Sequence, residues 1–169
     1  MNVKNTDARE HVGDSSSPSD NLSLKKSPEY LHAEKTALQL VARAEQCTSG
    51  MHRKLEKRGF ESDIINDVLE QLTSLDLIND RRFSRLWLVS RIRLPRSPRR
   101  LLIALCNRGI DRDDAEAALK EVLDPETEYA LLLRFAKKYT RKTQVLYCKS
   151  FFKNEGFSTI VINRYLEGI

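Results

Sequence analysis

Three segments of this 169-residue chain align on a glycine, and that register constrains the fold more than any other feature. Gly59, Gly109 and Gly156 are each followed by a bulky apolar residue: Phe60, Ile110 and Phe157. Four residues before each glycine stand Leu55, Leu105 and Phe152; eight before stand Met51, Leu101 and Cys148. Downstream, matching positions read Ile65, Val68, Leu69, Leu72, then Ala115, Ala118, Leu119, Val122, then Ile162, Tyr165, Leu166, Ile169. These spacings put apolar side chains on one face of two successive helices joined by a glycine turn. A unit of about 45–50 residues occurring three times is the signature of an α-helical repeat protein. Units this small bury little surface alone, so stacking extends the core into an elongated, curved array. The expected fold is all-α: three tandem three-helix repeats.

Punctuation along the chain supports the same division. Residues 1–32 read as a disordered tail, because Asp14-Ser15-Ser16-Ser17-Pro18-Ser19-Asp20 and its surroundings hold few large apolar side chains to offset ordering entropy. Ser27-Pro28-Glu29 is a helix-start signal for a short lead-in helix. The repeats are expected at 33–79, 80–123 and 124–169. In the first, helices are predicted at about 34–46, with Leu38, Val41 and Ala42 on one face, then 49–58 and 63–75, capped by Thr48-Ser49 and Ser62. The second runs from a helix at about 81–93 capped by Asp80, through Ser97-Pro98 to Arg108-Gly109, to about 112–123 with Asp111 as cap. The third opens at Asp124-Pro125-Glu126 and continues at about 125–139, 142–154 and 158–168.

Composition narrows the function. The net charge is +5, unevenly placed: residues 1–32 hold four Lys/Arg against five Asp/Glu, so the excess lies in the repeats. An acidic partner is implied, nucleic acid or an acidic protein face. No apolar run approaches membrane-spanning length and no signal-peptide core is present, so a cytoplasmic protein is expected. Cys47, Cys106 and Cys148 are odd in number and far apart, which suits reduced thiols rather than disulfides or a zinc site. Neither GxxxxGK[ST] nor HExxH occurs, and His11, His32 and His52 are scattered. Asp63, Asp111, Asp113 and Asp114 stand at helix starts, where capping explains them. No enzymatic activity, metal or cofactor is expected.

Two basic stretches remain. Arg81, Arg82, Arg85, Arg91, Arg93, Arg96, Arg99 and Arg100 fall in a run without an acid, with Trp87 among them. A second acid-free stretch holds Arg134, Lys137, Lys138, Arg141, Lys142, Lys149 and Lys153. Arginine forks pair bidentately with phosphate and carboxylate, and the first stretch ends on a helix N-terminus, a natural anion site. Trp87, Phe83 and Leu86 have the spacing of core residues, with base stacking the alternative.

The sequence resembles the RecX family of bacterial recombination regulators. Arg53-Lys54-Leu55 with Arg58-Gly59-Phe60 is similar to the family's first repeat. Leu77-Ile78-Asn79-Asp80-Arg81-Arg82-Phe83-Ser84 is similar to the junction into the second, and Ser90-Arg91, Pro98-Arg99-Arg100, Leu105 and Arg108-Gly109-Ile110 to its central stretch. Lys153, Gly156-Phe157 and Ile160 fit the third. Two departures stand out: Arg96-Ser97 precede Pro98 where the family commonly has a glycine, and Ala104 stands where it often has glutamate. The resemblance implies a protein that binds the RecA filament on single-stranded DNA and inhibits its ATPase and strand exchange. Such a protein is expected to be a monomer with weak, non-specific affinity for single-stranded DNA. The residues expected at the interface are Arg91, Arg93, Arg96, Arg99 and Arg100, with Lys137, Lys138, Arg141 and Lys142 as a second group. They would pair with acidic RecA side chains, DNA phosphate, or both. A sequence-specific regulator using a helix-turn-helix, and an adaptor gripping acidic proteins, are the alternatives.

Overall fold

A computed structural model of the chain describes residues 27–140 and 149–168. Most of the expected tail, Arg141, Lys142, Cys148, Ile169 and the front of the helix expected from 142 lie outside the described residues. The described residues form α1 (Pro28–Arg43), α2 (Thr48–Glu56), α3 (Ser62–Ser74), α4 (Asp80–Arg91), α5 (Pro98–Cys106), α6 (Arg112–Val122), α7 (Pro125–Thr140), α8 (Lys149–Asn154) and α9 (Thr159–Glu167). The architecture is all-α, a tandem array of three-helix units. In each unit the first helix packs on the third: α1 on α3, α4 on α6, α7 on α9.

The glycine turns are one backbone object used three times. Gly59, Gly109 and Gly156 have φ of 85°, 86° and 89°, the left-handed region that side chains with a Cβ resist. Gly59 N–H donates to Glu56 O at 2.9 Å and Phe60 N–H to Leu55 O at 3.4 Å. The same pair recurs from Gly109 and Ile110 to Cys106 and Leu105, and from Gly156 and Phe157 to Lys153 and Phe152. This is the Schellman pattern, which satisfies two carbonyls at the helix end and folds the next apolar residue back onto the helix. Leu55, Leu105 and Phe152, four residues before each glycine, are fully buried, as the register requires.

The first helix departs from the expectation. It begins at Pro28, with the Ser27 hydroxyl accepting from Tyr30 N–H, so the lead-in signal opens α1 itself. The tail boundary drawn at 32 is thus too late by a turn of helix. The buried stripe is Tyr30, Ala33 and Ala37, while Leu38 and Ala42 face outward. Tyr30 supplies the bulk: its ring fills the core of the unit and its hydroxyl reaches Gln71.

The joints between units follow one rule. At the first, Cys47 precedes α2 and offers its N-terminus no side-chain acceptor. Asp80 of the next unit fills that gap, accepting from Thr48 N–H at 2.7 Å and the Thr48 hydroxyl at 3.2 Å. Asp80 therefore caps α2 rather than α4, whose cap is Asn79 accepting from Arg82 N–H. The Cys47 thiol lies 3.7 Å from Arg108 O, and Gly109 faces Ser49. At the second joint Ser97 stands where Cys47 stands at the first, and Glu155 where Arg108 stands. The Ser97 hydroxyl donates to the Glu155 carboxylate, Arg99 N–H donates to Glu155 O at 3.0 Å, and Gly156 faces the Arg99 backbone. Ser97 is fully buried and also caps α5. Ser97→Ala should cost about 2 kcal/mol, combining a lost N-cap with a half-buried carboxylate short of a donor; urea denaturation measures it.

The apolar core is divided unequally. Tyr30, Met51, Leu55, Ile65, Val68, Leu72 and their neighbours form one cluster within the first unit. The second and third units share a single cluster, from Leu88, Leu101 and Leu105 to Phe135, Phe152, Phe157 and Ile162.

Candidate binding face at the joint between the second and third units

The first basic run does not act as one group. Arg81 and Arg85 reach Glu121 of α6 at 3.6 and 3.3 Å, bracing the first helix of the unit against its third. Arg82 pairs with Glu45 and Asp76, both at 2.8 Å, and ties the first unit to the second. The Glu45 hydrogen bond raises the Arg82 pKa; on Asp76, the Asn79 amide and then Arg82 lower it. These three arginines serve the fold.

Beyond them, α4 ends, the chain turns through Pro95, and α5 begins. Arg93, Arg96, Arg99 and Arg100 are all exposed here. Arg93 and Arg96 make no ion pair among the described residues. Arg91 lies 5.6 Å over the Trp87 ring, with its Nε buried and without an acceptor there. Arg108 lies over the same ring at 4.5 Å. Trp87 is half-buried against the shared core and covered by guanidinium groups, which fits the core reading and leaves little room for base stacking. Leu86, expected in the core with it, is instead exposed on the outer side of α4.

The structure brings the two basic runs together. Arg100 Nη1 donates to the Tyr139 hydroxyl at 2.6 Å, and Arg100 and Lys138 both lie within 6 Å of the Tyr139 ring, at 5.5 and 5.8 Å. Arg134 Nη1 donates to Ile92 O at 3.1 Å, closing the C-terminus of α4. The end of α4, the start of α5 and the end of α7 thus meet around Arg100, Arg134, Lys138 and Tyr139, with Arg91 at the end of α4, Arg93 and Arg96 exposed on the connecting turn and Lys137 exposed on α7. Arg99 turns the other way and donates to Asn154 O at 3.3 Å.

The N-terminus of α5 is not an open anion site. Glu155 occupies it, bonded to Ser97 and 3.8 Å from Arg100 Nε. A signal was present: the first two units carry arginine before the glycine, Arg58 and Arg108, and the third carries Glu155. Of the other residues that shape the face, Arg134 falls in the second basic stretch, and Tyr139 has no local sequence pattern that marks it. Among the described residues no cluster of His, Cys, Asp and Glu could hold a metal ion, and no helix is long and apolar enough to cross a membrane.

The fold and this face define a helical-repeat protein with a basic surface across a joint. Comparison with known proteins places it more closely. Family models described as the first and second three-helix domains of RecX match residues 33–72 and 79–119. The regulatory protein RecX of Treponema pallidum (strain Nichols) is 37% identical over 111 residues, 65% of this chain and 68% of the relative. That of Pseudomonas fluorescens (strain SBW25) is 34% identical over 87 residues, 52% of this chain and 56% of the relative. The crystal structure of RecX from Lactobacillus salivarius superposes with a TM-score of 0.65 at 22% identity, covering 83% of this chain and 96% of that one. Another crystal structure of regulatory protein RecX gives 0.71 at 18%, covering 92% and 80%. At these identities the two structures speak for the fold. The chain belongs to the RecX family.

Proposed function

We propose that this chain regulates the RecA recombinase by lying along its filament on single-stranded DNA and inhibiting ATP hydrolysis and strand exchange. It acts as a binding protein without catalytic chemistry, as a monomer in the cytoplasm. The observation that carries this reading is the meeting of two basic runs on one face, in a family of regulatory proteins. Arg91, Arg93, Arg96 and Arg100 form the first binding group, without Arg99, which turns to Asn154 on the other side of α5; Lys137 and Lys138, with Arg141 and Lys142 beyond the described residues, form the second. They pair with acidic RecA side chains and DNA phosphate. An array of joined units suits a polymeric partner, because it spreads binding along the filament.

The test is single-stranded-DNA-dependent ATP hydrolysis by the cognate RecA, titrated with this protein. Inhibition is expected well below one molecule per RecA protomer. Arg93→Glu with Arg96→Glu, at exposed positions without ion pairs among the described residues, should raise the concentration needed at least about tenfold and leave the helical circular dichroism unchanged. For each phosphate that the variant no longer neutralises, the logarithmic salt slope of single-strand binding should also flatten by about 0.7. Full inhibition by the double variant would remove these arginines from the interface. No inhibition by the wild-type protein, with a preferred duplex sequence instead, would turn the reading to a DNA-binding regulator.

A further inference from the structure

A groove of about 800 Å³ runs along the second unit to the third, on the side of α5 toward which Arg99 points. Its floor is Leu102 and Ile103 of α5 with Leu119 and Leu123 at the end of α6. Arg99, Lys120 and Lys153 stand around it, all exposed. Its two carboxylates are already engaged. Glu116 pairs with Arg112 at 2.9 Å, and Glu128 accepts from Ser158 N–H and the Ser158 hydroxyl at 2.6 and 2.7 Å. The groove therefore presents an apolar floor under net positive charge.

The repeat supplies the control. A smaller groove of about 460 Å³ occupies the corresponding place between the first two units, and there His52 and Arg53 stand where Leu102 and Ile103 stand in the second. In the third unit the same register holds Lys149 and Ser150. Closing a joint thus does not require apolar side chains at these positions, yet Ile103 is left 48% exposed. The charge is specific as well: Lys120 of the second unit aligns with Glu70 of the first and Glu167 of the third. Only the second unit combines two apolar residues with a lysine beside them.

We infer that this groove docks an acidic segment of a protein partner, one that lays bulky apolar side chains on Leu102 and Ile103 and its carboxylates toward Arg99, Lys120 and Lys153. A nucleic-acid strand is the poorer occupant. Its phosphates gain nothing from an apolar floor, and none of the described lining residues is aromatic to stack on a base. The inference concerns a different surface from the basic face, and its test contains no recombinase, so the two stand or fall separately.

The probe is a fluorescein-labelled helical peptide of about four turns, rich in glutamate, with leucines spaced to share one face. Fluorescence anisotropy with the full chain should show saturable binding. Leucine-to-serine and glutamate-to-glutamine versions of the peptide should each bind much more weakly. Ile103→Arg places the first unit's residue at a half-exposed position of the floor, and should weaken binding at least about tenfold while the thermal melt stays near wild type. Lys120→Glu provides a second variant at an exposed position and should also weaken binding, with a shallower salt dependence. The inference is overturned if the wild-type chain does not bind the peptide, if both variants bind like wild type, or if the serine peptide binds as well as the leucine peptide. Strict competition by oligothymidylate would also overturn it, by making the groove part of a nucleic-acid path.

Discussion

Phe135→Ala should destabilise the protein by about 4 kcal/mol, and the loss should not spread evenly. Phe135 is fully buried in α7, with ring centroids 4.4 Å from Tyr139, 5.4 Å from Phe157 and 6.1 Å from Phe151. Truncation removes the transfer energy of the ring and leaves a cavity that helices braced from two units cannot readily close. That cavity opens in the cluster shared by the second and third units. The first unit holds its own cluster around Met51, Leu55 and Val68. Native-state hydrogen exchange should therefore show amides near Leu88, Leu105 and Ile162 losing protection while those near Leu55 and Val68 keep most of theirs. A uniform loss across all three units would mean that the two clusters unfold as one.

Gly109→Ala should cost about 3 kcal/mol, roughly twice the effect of Gly59→Ala, although both turns have the same backbone. The left-handed conformation penalises a Cβ at either position by about 1–2 kcal/mol. At Gly59 no described residue stands within 4 Å of the added carbon. At Gly109 the added carbon would fall on the Oγ and Cβ of Ser49, at the start of α2 in the preceding unit. Rotating the serine hydroxyl does not relieve the overlap with its Cβ, so the joint must open or the helix must shift, at a further cost of about 1–3 kcal/mol. Denaturant melts of the two variants, with Ser49→Gly added to Gly109→Ala, separate the causes. The double change should recover the steric part and leave the conformational part. Equal effects at Gly59 and Gly109 would mean that the joint does not press on this turn.

How much of this was legible depends on which physical signal carried it. The glycine register placed the turns and buried positions of the first two units well, because a left-handed turn and an apolar face each demand particular residue types. It placed Leu55, Leu105 and Phe152 in the core without ambiguity. It misjudged α1, where small residues face inward: Ala33 and Ala37 pack beneath Tyr30 while the larger Leu38 points out. Capping was legible at Ser97, Asp111 and Asp124, but not at Ser62, which is the first residue of α3 behind Glu61, a cap without a side-chain hydrogen bond. Nor was it legible where a side chain crosses to another helix, as Asp80 does to Thr48. The basic face was half legible. The runs were visible, but which arginines are spent on Glu45, Asp76 and Glu121 is a matter of three-dimensional proximity that no local pattern encodes.

The two joints share a sense of direction. In each, the turn of a later unit seats on the front of the second helix in the unit before it: Gly109 on Ser49, Gly156 on Arg99. Among the described residues no earlier unit lies beneath the turn at Gly59, so this part of the chain is a row of like parts with unlike ends. If the chain lies along a filament as proposed, this direction gives it two inequivalent alignments there. Head and tail would then meet different neighbours along the strand, and the growing and shrinking ends of that filament need not be affected alike.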